Sequence, residues 1–198
     1  MVGWWAVAGD RLLFYYSGHG AQYPARDGDG ELDGFKEVLC PFDFDWTEET
    51  MISDKEMVEI FYTIPIGVAF NIISDSCHSA GQFRGTDGAK SFPMPVDLQW
   101  RMRATKVKYP QDPDDYKSEL NAGFLSGCKS DQFSEDTWFE DAGCRGALSY
   151  YFQKRVVENK DLPMDKICEL VLADLKAGGH KQEPQISGRR SSKPFLVV

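Results

Sequence analysis

Ile72-Ile73-Ser74-Asp75-Ser76-Cys77-His78-Ser79-Ala80-Gly81 is the stretch that decides the fold. An apolar run, Val68 to Ile73, breaks abruptly into small and polar residues with a cysteine at the break. This is the pattern of a buried strand delivering a nucleophile to the carboxyl edge of a parallel sheet. Upstream, Leu12-Leu13-Phe14-Tyr15-Tyr16 runs in the same way into Ser17-Gly18-His19-Gly20. Two apolar strands ending in a histidine and a cysteine point to thiolate catalysis.

The rest of the composition limits the alternatives. With 198 residues, 42% hydrophobic and 13% aromatic, the chain suffices for one sizeable domain with a substantial core. A net charge of -9 argues against nucleic acid, whose phosphates need Lys and Arg. It suits basic peptide substrates, although a mild acidic excess is more often only a solvated surface. The five cysteines, Cys40, Cys77, Cys128, Cys144 and Cys168, form no CxxC pair, so no metal cluster is expected. Odd in number and scattered, they read as mostly buried thiols of a reducing, cytoplasmic compartment. No segment reads as a membrane span, and Val2 to Ala8 makes a poor signal peptide.

Along the chain, Val2 to Gly9 reads as the end of a helix with Trp4, Trp5 and Val7 facing a core, and Arg11 to Tyr16 as a strand. Tyr23 to Gly34 is a loop rich in Gly and Asp, and Glu37 to Phe42 a short edge strand. Ser53-Asp54-Lys55-Glu56 has the capping-box spacing that opens a helix, with Met57, Ile60 and Phe61 as its buried face. Val68 to Ser74 is the next strand. Phe83 to Ala122, with Arg101, Arg103, Lys106 and Lys108 in its middle, reads as a long surface connection. Gly123 to Ser126 is a short buried strand, Gly146 to Val157 and Pro163 to Leu175 are helices, and Phe195 to Val198 is a terminal strand. Apolar strands alternating with helices imply an α/β fold with a mainly parallel central sheet flanked by helices.

Side chains alternate along a strand, so Asp75 and Cys77 should point one way, and Ser17 and His19 likewise. An imidazole near the thiol favours the thiolate and can later protonate a leaving amine. The backbone N–H groups of Gly20 and Cys77 form a candidate oxyanion hole, each donor worth about 3 kcal/mol to a transition state. A carboxylate beside the thiol would hinder its ionisation, so Asp75 suits another task, gripping a cationic side chain of a substrate.

The motifs resemble those of caspase-like peptidases of the metacaspase and orthocaspase type (peptidase C14). The matching stretches are Tyr16-Ser17-Gly18-His19-Gly20, Asp27 to Gly34, Ile52-Ser53-Asp54 and Asp75-Ser76-Cys77-His78-Ser79. They continue with Ser126-Gly127-Cys128, Asp131-Gln132, Ser134, Gly146-Ala147-Leu148-Ser149-Tyr150 and Gln182-Glu183-Pro184-Gln185. The resemblance implies a single caspase-like catalytic domain: a large-subunit-like part over 1–84, a linker over 85–120 and a small-subunit-like part over 121–198. It implies His19 and Cys77 as the catalytic pair, and cleavage of peptide or protein substrates after Arg or Lys. Asp75, with Ser17 beside it, then forms the substrate-binding pocket, and no cofactor is required. The four basic linker residues become candidate self-cleavage sites.

Two departures from the family pattern carry expectations of their own. Many metacaspases need calcium held by carboxylates. Lys36, Lys55 and Arg84 fall where such ligands are placed, so activity is expected to be calcium-independent, with Lys36 or Lys55 pairing Asp54 in the cation's place. The loop Asp27 to Asp33 fails the EF-hand spacing, leaving at most weak cation binding there. The amino-terminal strand and helices of the family also have no counterpart in this chain, so an open sheet edge and poor stability or activity of the chain alone are expected. Two alternatives accompany the peptidase reading: a catalytically inactive scaffold or binding module of the same fold, and another thiol chemistry such as an amidase.

Overall fold

The computed structural model describes residues 5–25, 35–76, 90, 122–129 and 132–195. Its centre is a four-stranded sheet. Strands β1 (Arg11–Ser17) and β5 (Ala69–Asp75) are the two apolar runs met first in the sequence, and they pair in parallel from Arg11↔Ala69 to Ser17↔Asp75. β6 (Ala122–Ser126) adds to β5 in parallel, and β9 (Gln185–Ser187) closes the order β1-β5-β6-β9 in the antiparallel sense. All seven residues of β5 are buried, as befits a central strand covered on both faces.

One face is covered by helix α1 (Asp54–Tyr62), through Met57 and Phe61 against Phe70 and Ile72. The expected capping box is present: Glu56 N–H donates to Ser53 Oγ, and Ser53 N–H donates to the Glu56 carboxylate at 2.8 Å. The other face carries α2 (Ala147–Glu158) and α3 (Met164–Ala177), whose Leu148, Phe152, Ile167, Val171 and Leu175 pack on Ile73 and Leu125. Pro163 stands at the N-cap of α3 and Gly179 follows its end at φ 81°, as the Pro and Gly positions implied. Arg155 of α2 clamps α3 with a two-pronged contact to Asp174, at 2.6 Å for each bond.

Two smaller sheets are present among the described residues. β2 (Gly20–Pro24), β3 (Phe35–Leu39) and β4 (Ile52–Ser53) form one, in the order β2-β3-β4. β7 (Asp136–Phe139) and β8 (Gly143–Gly146) form a hairpin leading directly into α2.

Several local expectations are corrected. Residues 5–10 form turns, with Asp10 accepting the Val7 N–H at 2.8 Å, and Trp5 and Val7 are exposed while Ala6 is buried. The run at Glu37 is the middle strand of its sheet, because Gly20 to Pro24 pairs on one side of it and Ile52-Ser53 on the other. Ile60 is on the open side of α1. β9 is the last strand among the described residues; of the expected terminal strand Phe195 to Val198 only Phe195 is described, its ring meeting Phe152 edge-on, and the rest lies outside the described residues. Cys40, Cys128 and Cys168 are buried free thiols, and Cys144 is exposed.

Candidate active site

Ser17 and Asp75 are the last register pair of β1 and β5, so their side chains stand side by side at the carboxyl end of the sheet. Asp75 is 0% exposed, and a carboxylate taken from water needs charged or hydrogen-bonding partners. It has both. Ser149, in the first turn of α2, donates its backbone N–H at 3.0 Å and its hydroxyl at 2.5 Å to Asp75 Oδ2. The N-cap of α2 is Gly146, which has no side chain to offer, so Asp75 occupies the capping role from another strand.

The second partner is Lys90, whose side chain is 1% exposed. Its ammonium donates to Ser17 Oγ at 2.7 Å and to the Asp75 backbone carbonyl at 3.0 Å, and lies 3.0 Å from Asp75 Oδ2. Asp136 Oδ1 is a fourth neighbour at 3.4 Å. Gly146 adjoins the seat so closely that a Cβ there would overlap both Asp75 Oδ2 and Lys90 Nζ. Asp75 Oδ1 is buried with no hydrogen-bond partner among the described residues.

The backbone of Lys90 is also held. Its N–H donates to the Ser134 carbonyl at 3.0 Å, and its carbonyl accepts from Gly20 N–H at 3.1 Å. A basic side chain thus sits in a buried anionic pocket, with its own backbone carbonyl held by a backbone donor. Gly20 is the donor expected of an oxyanion hole.

His19 follows β1 on a backbone fixed by its surroundings. Its carbonyl accepts from Cys40 N–H at 3.0 Å and from the Tyr16 hydroxyl at 2.8 Å, and that hydroxyl also meets the Cys40 carbonyl at 2.9 Å. The Tyr16 ring folds back over Gly18, where a Cβ would lie 2.7 Å from the hydroxyl oxygen. Burial, with the nearby Cys40 thiol, pushes the Tyr16 hydroxyl up to about 12. Burial alone does the same to the Cys40 thiol. Cys77, Arg84, the loop Asp27 to Asp33 and the four basic linker residues lie outside the described residues. Of the expected site, the structure therefore brings together Ser17, Asp75, Gly20 and the backbone of His19.

Three residues of this site were missed in the sequence. Ser149 lies within Gly146 to Tyr150, a stretch that carries the family resemblance without pointing to a site role. Asp136 lies in a hairpin without a sequence signal, placed beside the seat by the register Asp136↔Gly146. Lys90 lies in the segment taken as a surface connection. Gln182 anchors this side of the site: its amide donates to the Gly127 carbonyl and its oxygen accepts from Glu135 N–H, each at 3.0 Å.

The chain is similar to known proteins. Residues 4–84 match the family model for the metacaspase, peptidase C14 domain. Metacaspase-1 of Arabidopsis thaliana is 35% identical over all of this chain, which covers 62% of that protein. Metacaspase-1 of Mycosarcoma maydis is 29% identical over 96% of the chain, covering 54% of its own length. The chain thus spans between half and two thirds of these relatives. Its fold is shared with the crystal structure of protein GSU0716 from Geobacter sulfurreducens, at a TM-score of 0.64 and 24% identity, covering 96% of this chain and 73% of that one. These matches run through both the His19 and the Asp75 strands, and they make the chain similar to the metacaspase-type C14 peptidases.

Proposed function

We propose that the chain is a cysteine endopeptidase that cuts peptide bonds after Lys or Arg through a His19–Cys77 dyad, without calcium. The observation that carries this is Lys90, held at its ammonium by Ser17 and Asp75 and at its carbonyl by Gly20. A pocket lined by a buried carboxylate selects a cation and repels an aspartate, the residue that caspases proper accept.

In the reaction, Cys77 Sγ attacks the carbonyl carbon of the residue in the pocket. The C–N bond breaks, and the amine departs with a proton from His19. Water then adds to the thioester with His19 as base, releasing a carboxylate and the thiol. Gly20 and Cys77 N–H groups hold the oxyanion in both halves. Lys90 competes for the same pocket, so the Lys90–Ser91 bond joins the linker basic residues as a candidate for self-cleavage. The calcium-independent part of the reading is supported by Lys36, whose ammonium stands 3.7 Å from the Glu48 carboxylate, a cation in a region where the family places calcium ligands.

The test uses matched peptides with Lys, Arg or Asp before the bond, with calcium or with chelator, for wild type and Cys77→Ala. Cleavage after Lys and Arg by wild type alone, unchanged by chelator, together with a fragment ending at Lys90 in mass spectra, is the expected result. Cleavage after Asp, or equal turnover by Cys77→Ala, would overturn the reading, and strong activation by calcium would overturn its last part.

A further inference from the structure

We infer that Asp136 is a specificity-determining residue of the basic pocket, supplying the second carboxylate that holds the cation. This rests on the reading of Lys90 as a stand-in for the substrate residue. An ammonium has three N–H donors; here two go to Ser17 Oγ and the Asp75 carbonyl at 2.7 and 3.0 Å, and Asp75 Oδ2 is its ion-pair partner at 3.0 Å. The negative charge of Asp75 is shared, because Oδ2 also receives the Ser149 hydroxyl and N–H at the start of α2. Asp136 Oδ1, 3.4 Å from the ammonium, therefore acts on the cation mainly by charge and tips the balance of the seat further towards the anionic side.

Position supports the same role. Asp136 opens β7 opposite Gly146, and it is the missing Cβ of Gly146 that leaves room for the cation between the hairpin and Asp75. The side chain of Asp136 is 42% exposed, whereas that of Asp75 is sealed, so Asp136 stands at the solvent side of the pocket. It suits attraction of an incoming basic side chain, with Asp75 as the anchor. The Ser134–Asp136 segment also offers the carbonyl that holds the Lys90 N–H, joining side-chain and backbone recognition in one short stretch.

The experiment has two arms. In the first, the Lys90 amine of Cys77→Ala protein is labelled with an amine-reactive ester and followed by peptide mass spectrometry, with and without Asp136→Asn. Labelling of Lys90 should quicken about tenfold in Asp136→Asn while other lysines and the melting temperature stay unchanged, and Asp136→Glu should return it towards the parent rate. In the second, kcat and KM are measured on peptides with Lys, Arg or Gln before the bond. Asp136→Asn should raise KM about tenfold for Lys and Arg, leave Gln unaffected and flatten the salt dependence. An unchanged Lys90 labelling rate, or an unchanged preference for Lys and Arg over Gln, overturns the role of Asp136. If Lys90 labelling quickens but wild type cuts no basic peptide, Asp136 keeps its place in the cation seat and the peptidase reading falls instead.

Discussion

Tyr16 shows how much of the site depends on groups that touch no substrate. Its single hydroxyl proton is shared between the carbonyls of His19 and Cys40, drawing the chain after β1 against the chain after β3. Its ring lies on Gly18, which explains a glycine before the histidine in steric terms: any Cβ there meets the ring. Tyr16→Phe keeps the ring and removes only the hydroxyl, leaving the Cys40 carbonyl without that donor. A loss of about 1–2 kcal/mol is expected in urea unfolding, with slower peptide cleavage as the His19 backbone loosens. A variant as stable and as active as wild type would show that the hydroxyl does not position His19.

At the level of elements, the start of α2 and the base of the pocket are one structure. Asp75 at the end of β5 caps α2 through Ser149, and the same carboxylate holds Lys90. Removing one member of a buried ion pair strands the other and typically costs about 3–5 kcal/mol, whereas removing both spares that penalty. Asp75→Ala and Lys90→Ala should each destabilise strongly, and the double variant should be markedly more stable than their sum. The capping of α2 makes the cycle asymmetric, since only Asp75→Ala also uncaps the helix. A double-mutant cycle by chemical denaturation checks this. Strict additivity would mean that the pair does not act as a unit.

For the whole molecule, buried acids near the sheet make the fold sensitive to alkali. Burial pushes the Cys40 thiol and the Tyr16 hydroxyl up to about 12, and the Cys168 thiol to about 11. All three are neutral when protonated, and their values are raised in the folded state above the ordinary 9.0 for a thiol and 10.0 for a tyrosine. Their contribution is complete below those ordinary values and is lost as pH climbs towards the folded ones. The urea midpoint should therefore hold from neutral pH to about 9 and fall steadily between about 9 and 12, and Cys40→Ala should blunt the fall. A midpoint level up to pH 11.5 would contradict this. On the same scale, β1 has a strand neighbour on one side only among the described residues, and Leu13 and Tyr15 on it are exposed. Beside it lies an apolar cleft of about 390 Å³ lined by Leu13, Tyr15, Ile73, Phe152 and Val156.

Local pattern alone determined the strands β1, β5 and β6, the capped α1, the two helices α2 and α3, and the parallel sheet they build. Each of these carries its signal in neighbouring residues: an apolar run, a capping box, a Pro before and a Gly after. It also determined that Ser17 and Asp75 stand at the same end of the sheet, because a strand end is visible in the sequence. Only the tertiary structure decided what lies between them. The two hairpin-like sheets pair short segments whose registers are set by packing, and Lys90, Asp136 and Ser149 reach Asp75 from 15, 61 and 74 positions away. A buried charge needs partners, but the sequence does not say from which turn of the chain they come. That is why Asp75 was legible as the receiver of a cation, while the lysine that fills the pocket, and the second carboxylate beside it, were not.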